Sequence, residues 1–263
     1  MTESGDVRAG QTVAAIERAA DVLLHFAQDP RPSLGVTDIA QDLQMSKAAV
    51  HRLLASLRTR GFVLLDEETR RYSLGPMSLA LGLRALEKLD VRHMASSELR
   101  ALSALTNETT TLSIRAGEGR MYVDQMTPSR EVIMSVTLGV PFPLHAGASS
   151  KAFLAFLPEE EIERYLSVTL VRLTAATVTD RRRLESELRT IRSRGWASSV
   201  EERQSGAASA AAPILNHKDL PAAVISVCGP STRFMENLDY CLDQLLQVTG
   251  RLSERLGHRV LSR

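Results

Sequence analysis

The chain has 263 residues, 44% of them hydrophobic and 24% charged. That composition excludes a disordered or low-complexity protein and leaves room for two globular domains. Lys and Arg (32) nearly balance Asp and Glu (31), for a net charge of +1, so any contact with nucleic acid must rest on a local patch. No apolar run approaches the roughly 18 residues a membrane span needs, and MTESGDVRAG carries no secretory pattern. Cys228 and Cys241 are the only cysteines and make no disulfide framework, so a cytoplasmic protein with no membrane partner is expected.

Residues 1–11 read as a disordered tail. Val13, Ile16, Ala20, Leu23, Leu24 and Ala27 then recur at helical spacing until Asp29-Pro30 stops them. From Val36, the apolar set Val36, Ile39, Ala40 and Leu43 gives a short amphipathic helix that Gln44-Met45 breaks. Ser46 suits an N-cap, and Val50, Leu53, Leu54 and Leu57 form the buried stripe of the next helix. Ala48, Arg52, Ala55 and Thr59 fall opposite that stripe, with Lys47 and His51 beside them. Small side chains there permit close approach to a major groove, and Ser46, Lys47, His51 and Arg52 can donate to phosphates or base edges. The helix carries +4 (Lys47, Arg52, Arg58, Arg60) with no acidic residue; an ordinary helix with a solvated basic face fits that charge equally well.

The residues after Arg60 favour DNA. Gly61 suits the position just past the helix, Phe62–Leu65 and Arg71–Leu74 read as strands, and Asp66–Thr69 as the turn between them. A hairpin here makes a winged helix-turn-helix, with Arg70 and Arg71 placed at the wing tip against the DNA backbone. Residues 1–75 hold nine Lys plus Arg against ten Asp plus Glu, so binding should need two half-sites and hence a symmetric dimer on a palindromic or pseudo-palindromic operator.

Residues 76–88 read as a linker helix whose Leu79, Leu83 and Leu86 form an apolar seam toward a second copy or toward its own domain. A helix over Val91–Leu105 comes next, then strands over Thr109–Arg115, Arg120–Met126 and Val132–Thr137, the first two joined as a hairpin at Gly117 and Gly119. An apolar helix over Lys151–Leu157 starts on Ala148, Ser149 and Ser150, where open backbone N–H groups suit an anion, although a plain helix start accounts for the same residues. Arg181–Arg194 reads as a charged helix ended by Gly195, Ala207–Ile214 and Ala222–Cys228 as strands, and Phe234–Leu256 as one long helix with a leucine seam that packs on the sheet. Hairpins mixed with helices make an α+β fold.

Sharper chemistries find little support. Gly147-Ala148-Ser149-Ser150-Lys151 lacks the second glycine of a nucleophile elbow, and the S-x-x-K spacing fails at Ala148. The six histidines show no metal-ligand spacing, and Gly117-x-Gly119 lacks the third glycine and the context of a dinucleotide loop. Cys228 reads as a small buried residue or a redox sensor. No catalytic residue, metal or cofactor is expected.

The segments VAAIERAADVLLHFA, DIAQDLQMSKAAVHRLLASLRTRGFV, RRYSLG, PLHAGASSKAFLAFLP, GWASSVEERQSGAASAAAPI and ISVCGPSTR resemble, in order and over nearly the whole chain, the IclR family of bacterial transcriptional regulators. The resemblance implies a winged helix-turn-helix over residues 12–75, a linker helix over 76–88, and a GAF-like or profilin-like effector domain over 89–258 with a mainly antiparallel sheet. It also implies a homodimer or homotetramer, double-stranded operator DNA and a small organic acid or related metabolite as partners, and no enzymatic activity. By motif position it carries ligand contacts onto Met134, Ala148, Ser149, Ser199, Ala207, Ser209, Ser226 and Cys228. Ser199 and Ser209 stand where relatives have acidic residues or cysteine, so the pocket is expected to lack a charged anchor and to hold its ligand through neutral donors. The competing expectation is a metabolite-binding or hydrolase-like domain whose winged helix docks proteins.

Overall fold

The computed structural model describes residues 13–87 and 90–258; the expected tail over residues 1–11 and the end of the linker at 88 lie outside the described residues. The chain divides into two compact units between residues 88 and 89, and each is taken by itself.

The first unit contains α1 (Ala14–Gln28), α2 (Val36–Asp42), α3 (Lys47–Thr59), a hairpin of β1 (Val63–Leu65) and β2 (Tyr72–Leu74), and α4 (Pro76–Glu87). Its core is where the apolar spacings converge: Val22 and Phe26 of α1, Ile39 of α2, Val50, Leu54 and Leu57 of α3, Val63 and Tyr72 of the hairpin. Helix α2 stops because Gln44 takes a left-handed φ of 53° and Met45 N–H turns back to Ala40 C=O at 2.9 Å. Ser46 then caps α3, its Oγ accepting from Ala49 N–H at 3.2 Å. At the base of the wing a Cβ on residue 75 would stand 2.3 Å from Gly61 O, so only glycine lets the two passes of chain meet there.

The Asp38 carboxylate accepts from Gly35 N–H at 3.0 Å and from Arg71 at 2.9 Å, and Arg71 also donates to Ser33 C=O at 2.9 Å. The start of α2 is thereby pinned to the second wing strand. On α4, Met77, Leu79, Leu81 and Leu83 are all exposed; the side chain of Leu86, the third member of the expected seam, lies outside the described residues.

The second unit is an antiparallel six-stranded sheet in the order β5-β4-β3-β8-β7-β6, formed by β3 (Thr109–Ala116), β4 (Gly119–Met126), β5 (Pro141–Phe142), β6 (Ala197–Val200), β7 (Ala207–Leu215) and β8 (Pro221–Pro230). The helices are α5 (Asp90–Thr106), α6 (Ala148–Leu154), α7 (Glu159–Leu166), α8 (Arg181–Arg194), α9 (Ser231–Glu236) and α10 (Leu238–Arg255). Alternation along the strands sorts the two faces. Helices α5 and α10 pack on one face, where Thr110 Oγ1 donates to Leu99 C=O of α5. The other face presents Thr111, Ser113, Ser209, Ala211 and Ser226, and α6 lies over it with α7 and α8 behind. Small residues along Ala207–Ala212 let helices approach β7 from both sides, and Pro213 falls past the end of β6, which pairs only with Ala208–Ala211.

Three expectations are corrected. Val132–Thr137 is not a strand: side chains take its backbone groups, Gln125 Oε1 accepting from Val136 N–H at 3.0 Å and Thr109 Oγ1 donating to Met134 C=O at 2.5 Å, and the edge strand is instead Pro141–Phe142. Phe234–Leu256 is two helices, broken at Asn237 (φ −114°, ψ 14°). The helix expected over Lys151–Leu157 runs from Ala148 to Leu154. By contrast Arg181–Arg194 has the expected limits, with Asp180 accepting from Arg183 N–H and Gly195 left-handed at φ 86°.

The Gly35 N–H first, then Arg71, hold the Asp38 carboxyl below the usual carboxylate range, against burial. A depressed folded-state value means that its contribution is fully present above the unfolded pKa of about 4 and is lost as pH falls through the lower folded value. Asp38→Asn is therefore expected to reduce hydrogen-exchange protection of α2 at neutral pH and to flatten its fall below pH about 4; an unchanged profile contradicts the assignment.

Candidate functional site

On the first unit, Ser46, Lys47, Ala48, His51 and Arg52 all lie exposed on one side of α3, opposite the buried Val50, Leu54 and Leu57. The outer side of α3 and the wing together form a concave surface that includes His51, Ala55, Thr59 and Arg70. The basic residues do not all remain open. Glu67 in the wing turn accepts from Arg58 and from Arg70, each at 2.8 Å. Among the described residues Lys47, Arg52 and Arg60 form no ion pair. Arg70 sits at the wing turn with a left-handed φ of 55°. Arg71 does not stand at the tip as expected, because its guanidinium is drawn inward by Ser33 and Asp38.

At the back of this unit, His25, Asp29 and Asp42 bring ligand atoms within 4.8 Å of one another. Arg31 bonds both carboxylates, at 2.6 Å to Asp29 and 3.1 Å to Asp42, so the cluster is a set of ion pairs around a guanidinium.

On the second unit, a narrow cavity of about 30 Å³ opens between the sheet, α6 and the loop after β6. All eight residues carried over by motif position line it: Met134, Ala148, Ser149, Ser199, Ala207, Ser209, Ser226 and Cys228. Register explains why they meet. Ser199 pairs with Ser209, and Ser209 with Cys228, so neighbouring strands place these side chains side by side on one face. The Ser226 hydroxyl bonds that of Thr111 at 2.6 Å.

The approach to α6 is fixed by His145, only 2% exposed. Its Nε2 meets Val171 C=O at 2.8 Å, which accepts only, so Nε2 carries the proton and Nδ1 accepts from the Tyr165 hydroxyl at 2.9 Å. Tyr165 in turn accepts from Leu144 N–H at 2.7 Å. Within α6, Lys151 is fully buried and its Nζ donates to Glu187 of α8 and to Glu202 of the loop after β6, each at 2.5 Å. The other oxygen of Glu202 accepts from Gly147 N–H at 3.3 Å.

Two family models match this chain: one described as "Bacterial transcriptional regulator IclR C-terminal" over residues 83–254, the other as "IclR helix-turn-helix domain" over residues 15–67. The chain belongs to the IclR family. HTH-type transcriptional regulator KipR of Bacillus subtilis (strain 168) is 32% identical to it over 230 residues, 87% of this chain and 92% of KipR. HTH-type transcriptional regulator BhcR of Paracoccus denitrificans (strain Pd 1222) is 32% identical over 259 residues, 98% of this chain and 90% of BhcR. The crystal structure of an IclR transcriptional regulator from Alicyclobacillus acidocaldarius is similar with a TM-score of 0.83 and 28% identity, over 92% of this chain and 98% of that one. The chain is an IclR-type helix-turn-helix transcriptional regulator with a C-terminal effector domain. Among the described residues no helix is long and apolar enough to cross a membrane.

The IclR-type cavity has wall residues that the motifs did not indicate: Arg120, Tyr122, Glu202, Arg203 and Gln204. The two arginines correct the expectation of a wall without a charged anchor. Arg120 is 1% exposed. Burial lowers its guanidinium pKa from the ordinary value; the Tyr122 hydroxyl opposes that and the like charge of Arg203 adds to it.

Burial pushes the Cys228 thiol up to about 12 and the Cys241 thiol up to about 11, so neither supplies the thiolate that redox chemistry needs. In the native full chain near pH about 8 neither cysteine should react with Ellman's reagent while the urea-unfolded chain releases both equivalents. Rapid native labelling of Cys228 would restore the redox-sensor reading.

Proposed function

We propose that the protein acts in the cytoplasm, without catalysis, as a homodimer or an assembly of dimers on a palindromic or pseudo-palindromic operator. A small organic metabolite in the serine-lined cavity then changes its hold on DNA. The observation that carries the DNA half is the exposed side of α3, where Ser46, Lys47, Ala48, His51 and Arg52 stand together with no acidic partner among the described residues. Lys47 and Arg52 of α3 and Arg60 just past its end, the cations there without an ion pair among the described residues, are a weak electrostatic grip for one copy, and summing two half-sites supplies the rest. Exposed Met77, Leu79, Leu81 and Leu83 on α4 support a second copy covering this helix. Ligand closure over the cavity would alter the spacing of two recognition helices through α4, and spacing is what a two-fold operator measures.

The non-catalytic reading has support in the hydroxyls themselves. His145, the nearest imidazole in sequence to Ser149 and Ser150, is engaged by Tyr165 and Val171, and Ser150 Oγ accepts from Arg120 at 2.8 Å. Among the described residues neither serine is hydrogen-bonded to a side chain that could serve as the base a nucleophile requires.

Binding of promoter duplex by the full chain should fall steeply as salt rises. Arg52→Ala should cost about 1–3 kcal/mol in a base-selective way, whereas Arg70→Ala, already paired with Glu67, should weaken all sequences slightly and alike. Salt-independent binding, or none to any duplex, would favour the protein-docking alternative for the winged helix.

A further inference from the structure

A groove of about 880 Å³ runs along the free edge of the six-stranded sheet, where β6 is the last strand. Its walls are one side of α8, with Arg183, Glu187, Thr190 and Arg194, and the loop over residues 175–180. Register decides what the edge offers. Glu201 N–H donates to Ala207 C=O at 2.7 Å, one pair beyond Val200 opposite Ala208. Bonded pairs alternate along an antiparallel ladder, so Ser199 and Ala197 also turn their backbone groups toward β7. Ser198 and Val200, in the alternate positions, turn theirs outward into the groove they line. Among the described residues nothing meets the N–H or C=O of either. Sheet edges are commonly blunted by lysine, proline or a bulge; the β6 sequence, Ala-Ser-Ser-Val, has none of these.

The walls carry charge of one kind to spare. Arg172, Arg183 and Arg194 line the groove, and among the described residues none of them forms an ion pair. Arg172 is turned onto Ala175 C=O, Thr177 C=O and Thr179 Oγ1, which shapes the loop wall. Arg194 lies 3.5 Å over the Trp196 ring, and its Nε donates to Trp196 C=O at 2.7 Å. The carboxylates beside them are committed: Asp180 accepts from Arg183 N–H at the start of α8, and Glu187 and Glu202 both hold Lys151. Arg183 and Arg194 lie on one stripe of α8, separated by about 16 Å at about 1.5 Å of rise per residue. An extended chain covers that distance in about five residues, and strand residues four apart face the same way.

We infer that the edge of β6 receives an extended acidic segment of a partner protein as a seventh strand. Two acidic side chains four residues apart meet Arg183 and Arg194, while the backbone of the incoming chain completes the open N–H and C=O groups of Ser198 and Val200. A second copy of this chain is a poorer fit, because its own β6 would bring its own α8 arginines against these. Ser199, between the two open residues, lines the cavity, so a strand added here braces one cavity wall. The inference stands whatever the cavity and α3 bind.

The test is backbone amide exchange of the full chain with the capped heptapeptide Ser-Glu-Val-Thr-Val-Glu-Ser at up to millimolar concentration, beside the fluorescence of Trp196, the only tryptophan. Without peptide the Ser198 and Val200 amides should exchange faster than those of Ala197 and Ser199. The peptide should slow those two by at least about tenfold and shift the Trp196 emission. Lysine in place of both glutamates should remove the effect. N-methylation of alternate peptide nitrogens should remove it in one phase and spare it in the other, because a strand bonds to one neighbour through every second residue. Arg183→Glu and Arg194→Glu should each weaken binding by about tenfold. Val200→Pro, which deletes an outward N–H at an edge position where proline is tolerated, should abolish it. Should Val200→Pro fail to fold, Arg183→Glu carries the test, since that position is exposed on the first turn of α8 and suits a glutamate. No protection of Ser198 and Val200 by the acidic peptide, equal protection by the lysine peptide, or undiminished binding in Arg183→Glu overturns the inference. Protection by a single-stranded oligonucleotide that is lost in Arg183→Glu assigns the groove to phosphates, and protection that rises with protein concentration in the absence of peptide assigns the edge to a second copy; either result also overturns it.

Discussion

A lysine with no access to water must be paired, and in this protein the pairing of Lys151 orders much of the effector unit. Its ammonium draws Glu187 from α8 and Glu202 from the loop after β6 onto α6, so one interaction fixes a helix, a second helix and the mouth of the cavity. Glu202 also steadies Gly147, the residue ahead of α6. The remaining consequence is electrostatic: with its carboxylate committed to Lys151, the cavity faces two guanidiniums and no free anion. The positive cavity follows from satisfying a buried charge elsewhere.

The same economy runs through the DNA-binding unit with the signs reversed. Basic residues that sequence order puts near the groove are divided between structure and surface by two acids. Asp38 takes Arg71 to lock the wing strand onto α2, and Glu67 restrains Arg58 and Arg70 at the wing turn. Lys47 and Arg52 stay open on α3, where they can meet phosphates or bases. The patch is small because much of the local charge is spent on holding the wing in place, which is why two copies are expected to act together.

The helix-turn-helix was legible because its signals are local: a left-handed residue at Gln44, a capping hydroxyl at Ser46, a 3–4 apolar spacing and a glycine at residue 61. Helix α8 was legible for the same reason, bounded by Asp180 and Gly195. Val132–Thr137 misled because its β-branched residues fit a strand while the groups that occupy its backbone, Thr109 and Gln125, lie on strands earlier in the chain. The long terminal helix misled because the leucine spacing continues across Asn237 while the backbone does not. The eight cavity residues came from family likeness, and strand register accounts for their meeting. Arg120 was invisible: a charged residue in GRMYVDQM reads as the wet side of an edge hairpin, and only β5 and α6, arriving some 20–30 residues later, bury it.

The most direct measurement of the central claim is the side-chain Nε–H resonance of Arg120 in the full chain, identified by its loss in Arg120→Lys. Donating to Ser150 in a water-poor site, this proton should exchange slowly. Its signal should therefore persist as pH rises from about 6 to about 8. A rapidly exchanging proton would contradict the account of a cavity wall whose guanidinium is buried and aimed by Ser150.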